Sequence, residues 1–209
     1  MKDRTLGSMR TASEFVPGAT SGNATSTVVA APPSAVWRAI EELRLDDLRA
    51  TQLLMGIRSL PARVRHHGAL RRGRRRAGAP LIDAMAAGRF VELHREPEAI
   101  ITLGLVGQFW RLDGGDDADV GTAAEFVAFD QPGFVKAAID FQLELCDRGT
   151  RLITHTCNRA TDPATAQRFG WYWLLIGPGS KAIRLDILHA VRRRAERLHR
   201  ATSAQPSTR

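Results

Sequence analysis

His155 stands between Thr154 and Thr156, and Tyr172, the only tyrosine, follows in a run rich in aromatics. General acid–base work needs a titratable side chain held beside a substrate in a low-dielectric pocket. His155 and Tyr172 are therefore the candidate catalytic residues. Asp140, Glu144 and His94 are the other titratable candidates. Asp140 and Glu144 fall on the polar side of an alternating strand, where a carboxylate is ordinarily solvated. Because strand side chains alternate, the imidazole of His155 and the hydroxyls of Thr154 and Thr156 point to opposite faces.

Other chemistries find little support. His66 and His67 are adjacent, and His94, His155, Cys146 and Cys157 lack the spacing of a metal site. Asp113, Asp116, Asp117 and Asp119 crowd a Gly-rich turn without the terminal acid of a calcium loop, so they read as a polar hairpin tip. There is no Gly-x-Ser-x-Gly, no phosphate-cradling loop and no dinucleotide fingerprint. No cofactor is implied.

A binding chemistry is better represented. Trp110, Phe129, Phe141, Phe169 and Trp173, with Phe109, are apolar and aromatic and could line a cavity or pack a core. Gln108, Thr154 and Thr156 are the polar residues placed nearest such a cavity. Thr154 and Thr156 share a strand face with Leu152, while Ile153 and Cys157 make the opposite face a competitor.

The formal charge of +8 is concentrated in two clusters. One is Arg71, Arg72, Arg74, Arg75 and Arg76; the other is Arg192, Arg193, Arg194, Arg197 and Arg200. The rest of the chain is near neutrality, which argues against nucleic acid as a partner. No aromatic residue interleaves with either cluster to stack on bases. Arg71–Arg76 could meet an anionic surface or phosphate; a solvated run is the plainer reading.

These residues need elements to position them. Residues 1–24 and 201–209 are polar and aperiodic and read as disordered tails around one domain, 25–200. Ser26 to Ala31 is β-type and stops at Pro32-Pro33. Ser34 to Leu43 opens a helix with Val36, Ile40 and Leu43 on one face. A second helix is predicted over Leu48–Ile57 and a third over Pro80–Ala87. Strand candidates are 89–95, 99–111, 123–129, 134–146 and 151–159, parted by turn signals at Pro97, Gly114-Gly115, Pro132-Gly133 and Gly149. In the run Val135, Ala137, Ile139, Phe141, Leu143 and Leu145 against Lys136, Asp140, Gln142 and Glu144, one face reads as buried and the other as wet.

The longest helical signal is Asp162–Arg200. Phe169, Tyr172, Trp173 and Ile176 fall at i, i+3, i+4 and i+7, and Ile183, Ile187, Ala190, Val191 and Leu198 continue the stripe. Asp162 can cap the helix with Pro163 at its first position. Gly177-Pro178-Gly179 is expected to kink or break it. The class is α+β: hairpin-linked strands in an antiparallel sheet and one long final helix.

The β-run into Ala30-Ala31-Pro32-Pro33-Ser34-Ala35-Val36-Trp37 resembles the start of START-like (SRPBCC, Bet v 1-like) helix-grip domains. Asp47-Leu48 through Gly56-Ile57-Arg58-Ser59-Leu60-Pro61-Ala62-Arg63, Leu103-Gly104-Leu105-Val106-Gly107-Gln108-Phe109-Trp110-Arg111 and Arg168-Phe169-Gly170-Trp171-Tyr172-Trp173 with Gly177-Pro178-Gly179-Ser180 resemble an uncharacterised bacterial branch of that superfamily. The resemblance spans about residues 25–200; the Arg71–Arg76 run departs from it. It implies six or seven antiparallel strands wrapped on the C-terminal helix around an apolar cavity. Superfamily members bind lipids, sterols, polyketides or hormones, and some cyclise or dehydrate polyketides.

The expected function is binding of a hydrophobic small molecule or lipid between sheet and C-terminal helix. The alternatives are a polyketide cyclase/dehydratase-like enzyme, and a regulatory or anionic-membrane-surface module using Arg71–Arg76. With no apolar run of about 18 residues and no apolar segment near the start, the expectation is a cytoplasmic protein with reduced cysteines.

Overall fold

The structure, a computed structural model, describes residues 10–48, 51–52, 78–86, 88–111 and 118–204. In chain order the elements are α1 (Ala12–Phe15), β1 (Ser21–Val29), α2 (Pro33–Glu41), a 3-10 turn (Leu45–Asp47), α3 (Leu81–Ala86), β2 (Val91–Glu96), β3 (Ile100–Gly107), α4 (Ala123–Ala128), β4 (Val135–Cys146), β5 (Gly149–Ala160) and α5 (Pro163–Ser203). The strands form one antiparallel sheet in the order β1-β5-β4-β3-β2. The class is α+β, with five strands among the described residues rather than six or seven.

The missing strand is α4. An apolar run as short as Ala123–Phe129 fits a strand or a helix by periodicity alone. Capping decides it here. The Thr122 hydroxyl accepts from the Glu125 amide at 3.2 Å, and the Glu125 carboxylate accepts from the Thr122 amide at 3.0 Å, the reciprocal pairing that starts helices. Phe126 of α4 is fully buried. It lies over Gly104, where an added Cβ would sit 2.8 Å from the Phe126 ring and from Leu93, so the glycine lets helix and sheet touch.

The sheet is covered on both faces. On one side Ile101, Leu103, Phe141 and Leu152 pack with Val36, Trp37 and Ile40 of α2 and with Ile187, Leu188 and Val191 of α5. On the other, Val91, Leu93, Val106 and Ala138 pack with Phe126 and with Ala12, Phe15 and Val16. The β4 side read as wet is thus buried over much of its length: Lys136 is 2% exposed and Asp140 0%. Leu145, assigned to the buried stripe, is 79% exposed beyond the covering helices.

The same cover corrects the N-terminal boundary. Residues 10–24, polar enough to read as tail, hold α1 and the start of β1, with Ser21 paired to Asn158. The apolar trio Ala12, Phe15 and Val16 supplies too few positions for a period to be visible, yet it buries a second core.

Burial of Lys136 has a measurable consequence. Its ammonium donates to the carbonyls of Val127 and Phe129 at 2.9 and 3.2 Å and lies 5.1 Å from the Phe126 ring. Desolvation, with repulsion from Arg159, lowers its pKa to about 8. From about pH 8 to 10.5 the unfolded chain keeps a proton that the folded chain has released, so stability must rise with pH there. Urea unfolding should show a gain on the order of 1–3 kcal/mol across that window, absent in Lys136→Met. The same slope in both proteins would contradict it.

Asp162 caps α5. Its carboxylate accepts from the Thr165 hydroxyl at 2.6 Å, the Thr165 amide at 2.9 Å and the Gly133 amide at 2.7 Å, and these bonds hold its pKa down to about 2. The 41-residue helix then runs unbroken through Pro178. A proline removes one intrahelical bond, and the surface position of Pro178 leaves the orphaned turn open to water. No helix among the described residues is long and apolar enough to cross a membrane.

Candidate functional site

The first half of α5 gathers an aromatic cluster about Phe169, itself 3% exposed. Ring centroids lie 6.3 Å away for Phe109, 6.4 Å for Trp110, 5.9 Å for Tyr172 and 5.8 Å for Trp173. Helical spacing brings 169, 172 and 173 to one face, and the chain leaving β3 delivers 109 and 110 to it. Of the predicted lining residues, Trp110, Phe169 and Trp173 are therefore neighbours. Gln108 braces the adjoining loops, donating to the Gly133 carbonyl at 3.1 Å and accepting from Arg111 at 3.2 Å. Phe129 is elsewhere: it stacks edge-on with Phe134 at 5.3 Å in the opposite core. Phe141 packs in the core beneath α5 and α2, 2% exposed.

Farther along α5, on the same side of the sheet as Leu152, lies a polar seam. Register places Thr25 opposite Thr154 and Asn23 opposite Thr156, and the period of two puts all four on the side of Leu152. Arg184 of α5 meets them. It is 2% exposed, donates to the Thr156 hydroxyl, and reaches the Ser180 hydroxyl at 3.2 Å. Burial lowers its pKa to about 10, so it stays cationic at neutral pH. Among the described residues four buried atoms here have no hydrogen-bond partner: Asn23 Oδ1, Thr25 Oγ1, Thr154 Oγ1 and Arg184 Nε.

Sequence reasoning passed over Arg184 as one of many arginines. Its position was the available signal: Arg184, Ile187, Leu188 and Val191 fall at i, i+3, i+4 and i+7, so a cation occupies the apolar face.

His155 lies on the reverse of the sheet. Its Nδ1 is 3.0 Å from Asp140 Oδ1 and 3.1 Å from Gln142 Nε2. Asp140 is not the solvated carboxylate of the alternating pattern; it accepts from the amides of Ala12 at 2.8 Å and His155 at 3.1 Å. An open hollow of about 690 Å³ adjoins the pair, lined by Thr11, Ser13, Thr20, Gln142, His155 and Cys157 among others. Tyr172 belongs to the cluster on the α5 side. The two proton-handling candidates are thus separated by the sheet and cannot act on one substrate.

Among the described residues no group of three or more His, Cys, Asp or Glu side chains could hold a metal ion. Arg71–Arg76, His66 and His67 lie outside the described residues, as do Asp113, Asp116 and Asp117 and the helix expected over Leu48–Ile57 except Leu48, Thr51 and Gln52. The C-terminal arginines share their surface with acids: Arg194 contacts Glu42 at 2.7 Å, and Asp46, Asp47 and Asp186 line a hollow of about 510 Å³ with Arg193, Arg194 and Arg197.

No family model matches the sequence, and no curated protein matches it. Among solved structures, protein MLL2253 from Mesorhizobium loti matches with a TM-score of 0.37 and 11% identity, over 83% of this chain and 98% of that one. Protein CV1439 from Chromobacterium violaceum matches with a TM-score of 0.29 and 16% identity, over 80% and 97%. Neither likeness names a family. The five-stranded antiparallel sheet with a long C-terminal helix is compatible with a helix-grip fold.

Proposed function

We propose that this protein binds a small molecule with a largely apolar body in the seam between α5 and the sheet, in the manner of START-like helix-grip domains. The observation that carries the reading is the row of buried oxygens without partners: Asn23 Oδ1, Thr25 Oγ1 and Thr154 Oγ1. Folded interiors pair nearly all such atoms, because a buried acceptor or hydroxyl left alone forfeits its bonds to water. A ligand's polar end beneath α5 would pair them, and its body would lie against Phe169 and Trp173. The hollow of about 690 Å³ opens on the His155 side of the sheet, with Asn23 and Thr156 also at its border, and the one of about 510 Å³ lies by Asp186 and Arg194. Entry beneath the helix would involve α5 parting from β1 and β5.

Native mass spectrometry of the purified protein tests the reading. One small organic adduct per chain is expected, removed by solvent extraction and restored by medium-chain alcohols or acids, with Trp110 and Trp173 fluorescence reporting the return. Thr154→Val should weaken rebinding by about tenfold, the value of one net hydrogen bond. No adduct, and no fluorescence response to any chain length, would overturn the proposal.

A further inference from the structure

We infer that the ligand of this seam is a carboxylic acid with an apolar body, and that Arg184 is its counter-ion; the inference rests on the seam being the binding site. A guanidinium presents N–H donors in a rigid fork. Among the described residues its bonds go to neutral hydroxyls, those of Thr156 and Ser180, and its Nε has no partner. Among the described residues no carboxylate pairs with it. Asp186, two positions along α5, accepts from the amide and hydroxyl of Thr51 at 3.0 Å. Asp140 is on the far side of the sheet, held by Ala12 and His155. The nearby Cys157 thiol is pushed up from its ordinary pKa by burial, with a further push from Asp140, so it supplies no negative charge at neutral pH.

A cation taken out of water without a counter-ion is among the costliest features a fold can hold. The natural remedy is an anion that arrives with the ligand. A carboxylate fits the fork in two parallel bonds, and the unpartnered hydroxyls of Thr25 and Thr154 can donate to the same oxygens. A phosphate dianion fits less well, since one arginine among neutral hydroxyls would leave a buried negative charge. Leu152 of β5, Leu188 of α5 and the core around them put apolar surface beside the polar groups, which suits a single acid group on a hydrocarbon or aromatic frame.

The test compares dodecanoic acid, dodecanol and methyl dodecanoate, titrated into the delipidated protein and into Arg184→Met and Arg184→Lys, followed by calorimetry and tryptophan fluorescence. The wild type should bind the acid at least ~30-fold more tightly than the alcohol, as expected for a desolvated charge pair. Arg184→Met should lose that preference while still binding the alcohol, and Arg184→Lys should keep part of it. Equal affinity for acid and alcohol in the wild type, or an acid preference that survives in Arg184→Met, would overturn the assignment while leaving the seam as a binding site. Failure of all three compounds to bind the wild type would remove the seam reading and this inference together. Arg184→Met sheds an uncompensated buried charge and should unfold at or above the wild-type midpoint; should it not fold, Arg184→Gln takes its place.

Discussion

Asp140→Ala is expected to destabilise the fold by roughly 2–4 kcal/mol and to free residues 10–16 from the sheet. The side chain is 0% exposed. Its Oδ2 accepts from the Ala12 amide at 2.8 Å, while Oδ1 accepts from the His155 amide at 3.1 Å and lies 3.0 Å from His155 Nδ1. Alanine would strand two backbone donors, and each buried donor left alone costs its desolvation. The Thr102 hydroxyl donates to the Arg10 carbonyl in the same segment, but one neutral bond does not replace a carboxylate. Urea unfolding should show the loss, and amide exchange should show it concentrated at 12–16. Asp140→Asn keeps an acceptor and should lose less. An unchanged midpoint with residues 12–16 still protected would refute the role given to this carboxylate.

The second large effect separates the core from the aromatic cluster proposed to meet a ligand. Phe141→Ala should cost about 3–5 kcal/mol, the usual loss when a buried phenyl leaves a cavity. Phe141 packs among Ile101, Leu103, Leu152 and the inner face of α5, where neighbours on a hydrogen-bonded sheet cannot collapse inward. Trp173→Ala removes a larger ring but a half-buried one that touches Phe169 in the aromatic cluster of α5. Its expected cost is about 1 kcal/mol, together with weaker uptake of dodecanol if the proposed binding holds. Equal losses in the two variants, measured by denaturant unfolding, would mean that Trp173 is core as well and would weaken the case for a ligand beside it.

The two substitutions show how unevenly the sequence spoke. Phe141 and Trp173 look alike as apolar members of periodic runs, and both were candidates for a cavity wall. Only the register of β4 between β3 and β5 places one in the core and leaves the other at the edge. Phe129 is a sharper case. It belonged to a run read as a strand facing the cavity, and a Thr–Glu capping pair turned that run into α4 on the opposite side.

By itself the sequence determined what neighbours along the chain determine. The Asp162 cap, the Phe169–Tyr172–Trp173 face, the hairpin at Gly149 and the antiparallel α+β class rest on contacts between residues two to four positions apart or across one turn, and local propensity reports those. Tertiary structure decided which charges are hidden. Ala12 is 128 residues from the Asp140 carboxylate that holds it, and Arg184 is 28 from the Thr156 hydroxyl it meets. No local pattern encodes such a meeting. Burial turns Asp140 into a clamp, Lys136 into a base of lowered pKa, and Arg184 into a cation in need of a partner, because the cost of a charge is set by how much water the rest of the fold takes from it.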